Sequence, residues 1–260
     1  MASPRHTQPP LASPPALPSF GPLRLAAPAD IPRLGVVSTA GFCYSEDAIW
    51  DRPHHKKYPQ STINSFWWDM NDFFKCDEII VVAAVDRYDP GESSKIWASI
   101  PVDNGWTPPS PGDEVVVGVG VWKLAPSSTL LNTFQNSNAL YPTLPEYDLN
   151  DIDVERVERT IDIIDYGENK YFNGLTTLER LVVHPAYWKR GHGERLARWG
   201  MAMCDLDHID QGVVASEMGA TLFTRLGYER LTELQVEGDN EDDKGLTYEL
   251  LQYKAAVSIE

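Results

Sequence analysis

The stretch HPAYWKRGHGERLARWGMAMC, residues His184–Cys204, constrains this chain more than any other. It opens with a turn, sets Gly191 and Gly193 one residue apart, and runs directly into an amphipathic pattern. Leu196, Trp199, Met203 and Leu206 form the expected buried stripe of a helix over 193–209. Just before it, TTLERLVVH (Thr176–His184) is β-branched and apolar and reads as a strand. Where a strand hands over to a helix, the first N–H groups of the helix lack partners and carry the positive end of its dipole. Glycines there let an anion approach those groups closely. The segment predicts a diphosphate cradle formed by Lys189, Arg190, Gly191, His192, Gly193 and Glu194. The same glycines also suit a junction that binds nothing. A dinucleotide fingerprint needs a third glycine where Leu196 stands, which weakens that reading. No GxxxxGK occurs, so a P-loop nucleotidase is excluded.

Around this feature the chain alternates in period. LRLAAP (23–28) reads as a short first strand, and DIPRLGVVSTAGF and TINSFWWDMNDFF follow at helical spacing, separated by a polar, proline-punctuated loop or broken helix. EIIVVAAVD (78–86) and DEVVVGVGVWKLAP (113–126) read as strands. DIDVERVERTIDIIDYG reads as a helix with Val154, Val157, Ile161 and Ile164 on one face. GVVAS is a short strand, EMGATLFTRLGY a short helix, and a final hairpin surrounds GDNEDDKG. The expected class is α/β (α+β): a mixed sheet of six to seven strands flanked by helices, as one domain over 23–255. Long loops interrupt it at 87–112 and 127–150, and a Pro/Ala-rich tail at 1–22, expected to be disordered, precedes it.

Composition narrows the partners. The formal net charge is −16, which argues against nucleic acid and is compatible with a cationic substrate or with plain solubility. Three widely spaced cysteines suggest neither a disulfide framework nor a metal site, and fit a reducing, cytoplasmic setting. No apolar run has membrane-spanning length, so no membrane partner is expected. CDLDHID offers carboxylates and a histidine, but its spacing scatters them around a helix end, so no metal is expected. Nothing in the sequence separates a monomer from a homodimer.

LERLVVHPAYWKRGHGERLARWGMAMCD strongly resembles the acetyl-CoA-binding core of the GNAT N-acetyltransferases, in particular small-molecule members found in fungi. GATLFTRLGYERL resembles the family's next signature, VVVGVGVWKL its GfavW strand, and LRLAAPADIPRLGVVSTAGF its opening strand and helix. The chain departs from the pattern at three places. Trp188 stands at the head of the phosphate motif in place of Gln or Arg. Phe223 replaces the tyrosine that often protonates the leaving thiolate. Thr177 takes the place of a frequent strand glutamate, with Glu179 two residues on.

The resemblance implies an acetyl-CoA-dependent N-acetyltransferase acting on the amine of a small molecule. Two alternatives remain open: a protein N-terminal or lysine acetyltransferase, and a non-catalytic acyl-CoA-binding protein of the same fold. It implies that the backbone of Leu181, Val182 and Val183 holds the pantetheine arm and the thioester carbonyl. An alkylamine must shed a proton, a cost of about 4–5 kcal/mol near neutrality. Strand alternation puts Thr177, Glu179, Leu181 and Val183 on one face, with Glu179 as the first candidate base; the alternative is a carboxylate paired with a cation. Tyr228 could act as the acid or simply pack. Tyr44, Glu46, Asp47 and Trp50 are expected to line the acceptor pocket, with a cation stacked on Trp50; the alternative is a solvated loop. Ser216 is expected to cap a helix.

Overall fold

A computed structural model describes residues 17–133, 140–240 and 243–256. Seven strands form one mixed sheet: β1 (Leu23–Leu25), β2 (Ile79–Arg87), β3 (Glu114–Lys123), β4 (Thr176–Val183), β5 (Gln211–Ala215), β6 (Glu229–Val236) and β7 (Leu246–Tyr253). Their spatial order is β1-β2-β3-β4-β5-β7-β6. All neighbours are antiparallel except β4 and β5, and β7 lies between β5 and β6. The final hairpin is as expected. Six helices cover the faces: α1 (Ile31–Phe42), α2 (Glu46–Asp51), α3 (Pro59–Lys75), α4 (Val154–Tyr171), α5 (His192–Asp207) and α6 (Glu217–Arg225).

The central strand β3 is buried from Val115 to Trp122 because both faces are covered. On one face, α1 and α3 pack Leu34, Val37, Ile63 and Met70 against Val119, Val121 and Val182. On the other, α5 packs Leu196, Trp199 and Met203 against Trp122, Leu178 and Val183. Gly200 makes this possible: a Cβ there would lie 2.4 Å from the Trp122 indole nitrogen. Fully burying an aliphatic side chain of this kind is worth about 1.5–3 kcal/mol, so these two layers dominate stability.

Several periodicity readings shift. Leu206 is 56% exposed, and Cys204 takes the last buried place on α5. Val154 and Ile161 are also exposed, because α4 turns Ile164 and Gly167 toward the β6–β7 hairpin and Thr160 toward Asp51 of α2. The stretch read as a loop or broken helix contains α2. Residues 1–16 of the expected tail lie outside the described residues, whereas Leu17 and Phe20 pack on the core, Phe20 stacking on Trp199 at 5.4 Å. No helix among the described residues is long and apolar enough to cross a membrane.

Candidate active site

The site begins with a bulge. β3 and β4 pair in register except where Val121 faces Arg180 and Trp122 faces Leu178, which leaves Glu179 as an extra residue on β4. A bulge bends its strand and re-aims side chains. Only Thr176–Leu178 pair with β5; beyond them the two parallel strands separate. The second half of β4 therefore has an open edge. The His184 N–H donates to the Val117 carbonyl at 2.8 Å, which sets the alternation: Val182 bonds toward β3, while Leu181 and Val183 direct their peptide groups to the open side. Of the three expected backbone contacts, Val182 is thus committed to the sheet, and its side chain packs on α1 beside Gly41. Trp188 has a defined task in place of the missing Gln or Arg. Its indole N–H donates to the Val183 carbonyl at 2.7 Å, leaving the Leu181 groups and the Val183 N–H facing the cleft.

The open edge faces the start of α5. Gly191 is the N-cap at φ +83°, a conformation that favours glycine, and Lys189 before it is also left-handed at φ +61°. The turn aims the first amides of α5, at His192, Gly193 and Glu194, into the gap. A cleft of about 580 Å³ results, lined by Leu181, Val183, Trp188, Gly191, Gly193 and Leu222 among others. Its elongated apolar wall, open β-edge and helix N-terminus fit a pantetheine arm ending in a diphosphate.

No protein-family model matches the sequence. The chain is 32% identical over 253 residues to an acetyltransferase of Stachybotrys chartarum, an alignment covering 96% of this chain and 97% of that one. The chain belongs to the GNAT acetyltransferases. Two of the solved structures that share its fold illustrate the likeness. One, from Corynebacterium glutamicum, is described as histone acetyltransferase HPA2 and related acetyltransferase; it has a TM-score of 0.52 at 15% identity, covering 92% of this chain and 98% of that one. The other is a putative arylalkylamine N-acetyltransferase 7 from the yellow fever mosquito, with a TM-score of 0.52 at 11% identity over 89% of this chain and 86% of that one.

The GNAT cleft here opens into a second recess of about 560 Å³. Its walls are the start of α2 (Tyr44, Glu46, Asp47), the start of α6 (Glu217, Thr221) and the hairpin (Lys244, Tyr248). Ser45, Ser216 and Met218 line both cavities and mark their junction. There the Ser45 and Ser216 Oγ atoms are 3.5 Å apart, and the Ser45 hydroxyl donates to the Asp47 carboxylate. Ser216 holds the N-cap position of α6 but makes no side-chain cap bond, so its hydroxyl is left to the junction.

The structure relocates several predicted residues. Glu179 is exposed and lines neither cavity; the bulge turns it toward the α4 face, where Thr177 donates to it at 2.5 Å. The expected shared face of Glu179, Leu181 and Val183 is broken for the same reason. Tyr228 is 4% exposed and donates to the Gln211 side chain; burial pushes its phenol well above the ordinary range. It sits against Phe223 at 5.1 Å and serves as packing. Trp50 is buried, donates to Asp243 at 3.3 Å, and carries the chain's own Arg156 and Arg159 on its ring at 4.8 and 5.2 Å. No substrate cation has room there.

On the turn before α5, Lys189 and Arg190 are exposed, and Arg190 pairs with Asp86 at 3.0 Å. His192 turns its ring away to Asp86 at 2.9 Å, so its amide alone faces the cleft. Glu194 lines the cleft and holds Arg198 at 2.9 Å and Arg225 at 3.4 Å. Within CDLDHID, Asp207 bonds Thr129 and Asp205 bonds Tyr253, both structural ties.

Proposed function

We propose that this chain transfers the acetyl group of acetyl-CoA to the amine of a small molecule seated in the recess beside α2. Acetyl-CoA supplies an activated thioester. The Leu181 and Val183 peptide groups would hold the pantetheine arm and thioester carbonyl, and the α5 amides from Gly191 to Glu194 the diphosphate. A peptide N–H aimed at the carbonyl oxygen stabilises charge as the centre becomes tetrahedral. The observation that carries the reading is the junction: cleft and recess meet where two hydroxyls and a carboxylate stand in line.

That line gives the amine proton a path. Ser216 accepts it while passing its own hydroxyl proton to Ser45, and Ser45 passes its proton to Asp47. The amine nitrogen forms the new C–N bond, and the C–S bond breaks. A thiol with a pKa of about 8.5 leaves largely unaided near neutrality, so Phe223 is no obstacle. Glu46, Asp47 and Glu217 make the recess wall acidic, which suits a cationic acceptor. Its volume falls within the range of about 300–1,000 Å³ common for small-molecule pockets, which favours a metabolite over a protein segment.

Thiol release from acetyl-CoA, measured with a panel of small amines and with peptides carrying free N-termini or lysines, tests the reading. Acceleration by small amines is expected. Acceleration by peptides alone would replace the small-molecule acceptor with a protein one, and CoA binding with no amine-dependent release would make the chain a binding protein.

A further inference from the structure

The connection between β2 and β3 is long for antiparallel neighbours, yet its first half is pinned by buried charge. Glu92 is 4% exposed. It accepts two hydrogen bonds from the Arg33 guanidinium of α1, one of them at 2.8 Å. Arg33 is itself buried, donates from Nε to the Val116 carbonyl at 2.7 Å, and lies under the Trp106 ring at 4.2 Å. The third partner is Tyr187, whose hydroxyl donates to Glu92 at 2.9 Å and accepts the Asp89 N–H at 3.0 Å. Tyr187 is fully buried in the short turn that leads to Lys189 and Gly191.

The same connection reaches the other cavity. Five residues past Glu92, Trp97 stacks on Tyr44 with ring centroids 4.4 Å apart, and Tyr44 meets the edge of Trp188 at 4.9 Å. Trp97 is 76% exposed, so burial does not explain its placement. Nor does stability account for the Arg33–Glu92 pair. Desolvating two charges consumes most of what their attraction returns, and apolar residues of similar volume would hold the fold as well. What a three-way, directional bond set adds is fixed geometry between α1, the connection and the phosphate turn.

We propose that residues 88–106 form a strut, latched at Glu92, that positions the diphosphate turn through Tyr187 and shapes the acceptor mouth through Trp97. Glu92 and the Tyr187 hydroxyl are positioning groups; Trp97 sets acceptor specificity. The proposal rests on the cleft being the CoA site and is tested so that the two can fail separately.

CoA is titrated by calorimetry into the wild-type chain, Tyr187→Phe and Trp97→Ala, and steady-state constants are measured with the best amine. Tyr187→Phe keeps the ring and is expected to weaken CoA binding about fivefold to tenfold, with the KM of the amine unchanged. Trp97→Ala is expected to leave the CoA Kd within about twofold and raise the amine KM several-fold, with kcat changing less. If Tyr187→Phe does not fold, the double variant Arg33→Met/Glu92→Leu, which removes the latch without leaving a buried charge unpaired, carries the test with the same expected loss. No heat from CoA and the wild-type chain would overturn the cleft reading and the strut with it. Normal wild-type binding with equal affinity in Tyr187→Phe would overturn the strut and leave the cleft reading standing. An unchanged amine KM in Trp97→Ala would remove the acceptor arm.

Discussion

The β4–α5 cleft and the acceptor recess share a border at Ser45, Ser216 and Met218, but they are built from different materials. The cleft takes most of its polar groups from main chain, within one contiguous stretch from Leu181 to Glu194. The recess takes its groups from side chains on three segments far apart in sequence: the start of α2, the start of α6 and the β6–β7 hairpin. A site made of peptide groups needs a backbone shape, so it tolerates Trp188 for Gln or Arg. A site made of side chains depends on each residue, and on the proposed reading this is where the acceptor would be chosen. Substitutions should therefore act differently in the two regions.

The largest effect is expected in the recess. Asp47→Asn keeps shape but cannot take the proton passed by Ser45. It should lower kcat on an alkylamine by about 100-fold or more, the usual worth of a general base. The deficit should shrink as pH rises toward the amine pKa of about 10, where the free amine no longer needs a base. A variant within about twofold of wild type near neutrality removes Asp47 from the proton path. In the cleft, effects should track backbone geometry. Gly191→Ala forces a Cβ into a left-handed conformation that costs roughly 1–2 kcal/mol. It should weaken CoA binding about tenfold, the ratio such an energy corresponds to. Gly193→Ala should lose less, because its backbone is not left-handed and its new Cβ meets no atom of the chain closer than 3.7 Å, so only crowding of the bound diphosphate can weaken binding. Equal losses at both glycines, read by calorimetry, would show that space rather than backbone shape is what the turn provides.

The same contrast explains what could be read beforehand. The glycine turn between β4 and α5 was legible because glycine spacing, a strand and a helix stripe lie side by side in the sequence, and the succession of elements along the chain followed from the change of period; the spatial order that sets β7 between β5 and β6 did not. The recess was half legible: Tyr44, Glu46 and Asp47 line it, but Ser45 and Ser216 gave no signal that two distant serines would meet. Ser216 read as a cap, and only the missing cap bond frees it. Glu179 misled for a local reason. Strict alternation along β4 puts it beside Leu181, and one extra residue at the bulge moves it to the other face. Bulges depend on the partner strand, which a period-two count of one strand does not contain. Trp50 misled because its cations come from α4, far along the chain.

Glu179 belongs instead to a third site, and its consequence is stability. It lies near Glu168 of α4. Burial pushes the Glu168 carboxyl up to about 7, with the negative charges of Glu179 and Asp165 adding to the shift and Lys123 opposing it. The folded state therefore holds this proton more tightly than the unfolded chain, whose glutamate titrates near its ordinary 4.5. Folding stability should fall as pH rises from about 4.5 through about 7, the window in which only the folded state keeps the proton. Glu168→Gln carries no charge at any pH, so it should change little at the acid end and stabilise at about pH 8, where the native carboxylate is ionised. The gain, reduced for solvent screening of a partly exposed group, should be about 1–2 kcal/mol. In a chain of this size that is a rise in Tm of roughly 2–8 °C. Glu179→Gln should give a smaller gain of the same sign through Glu168, and leave kcat within about twofold because it lines neither cavity. A Tm gain for Glu168→Gln that is as large at pH 4.5 as at pH 8 would mean that packing, rather than the burial of charge, sets the effect.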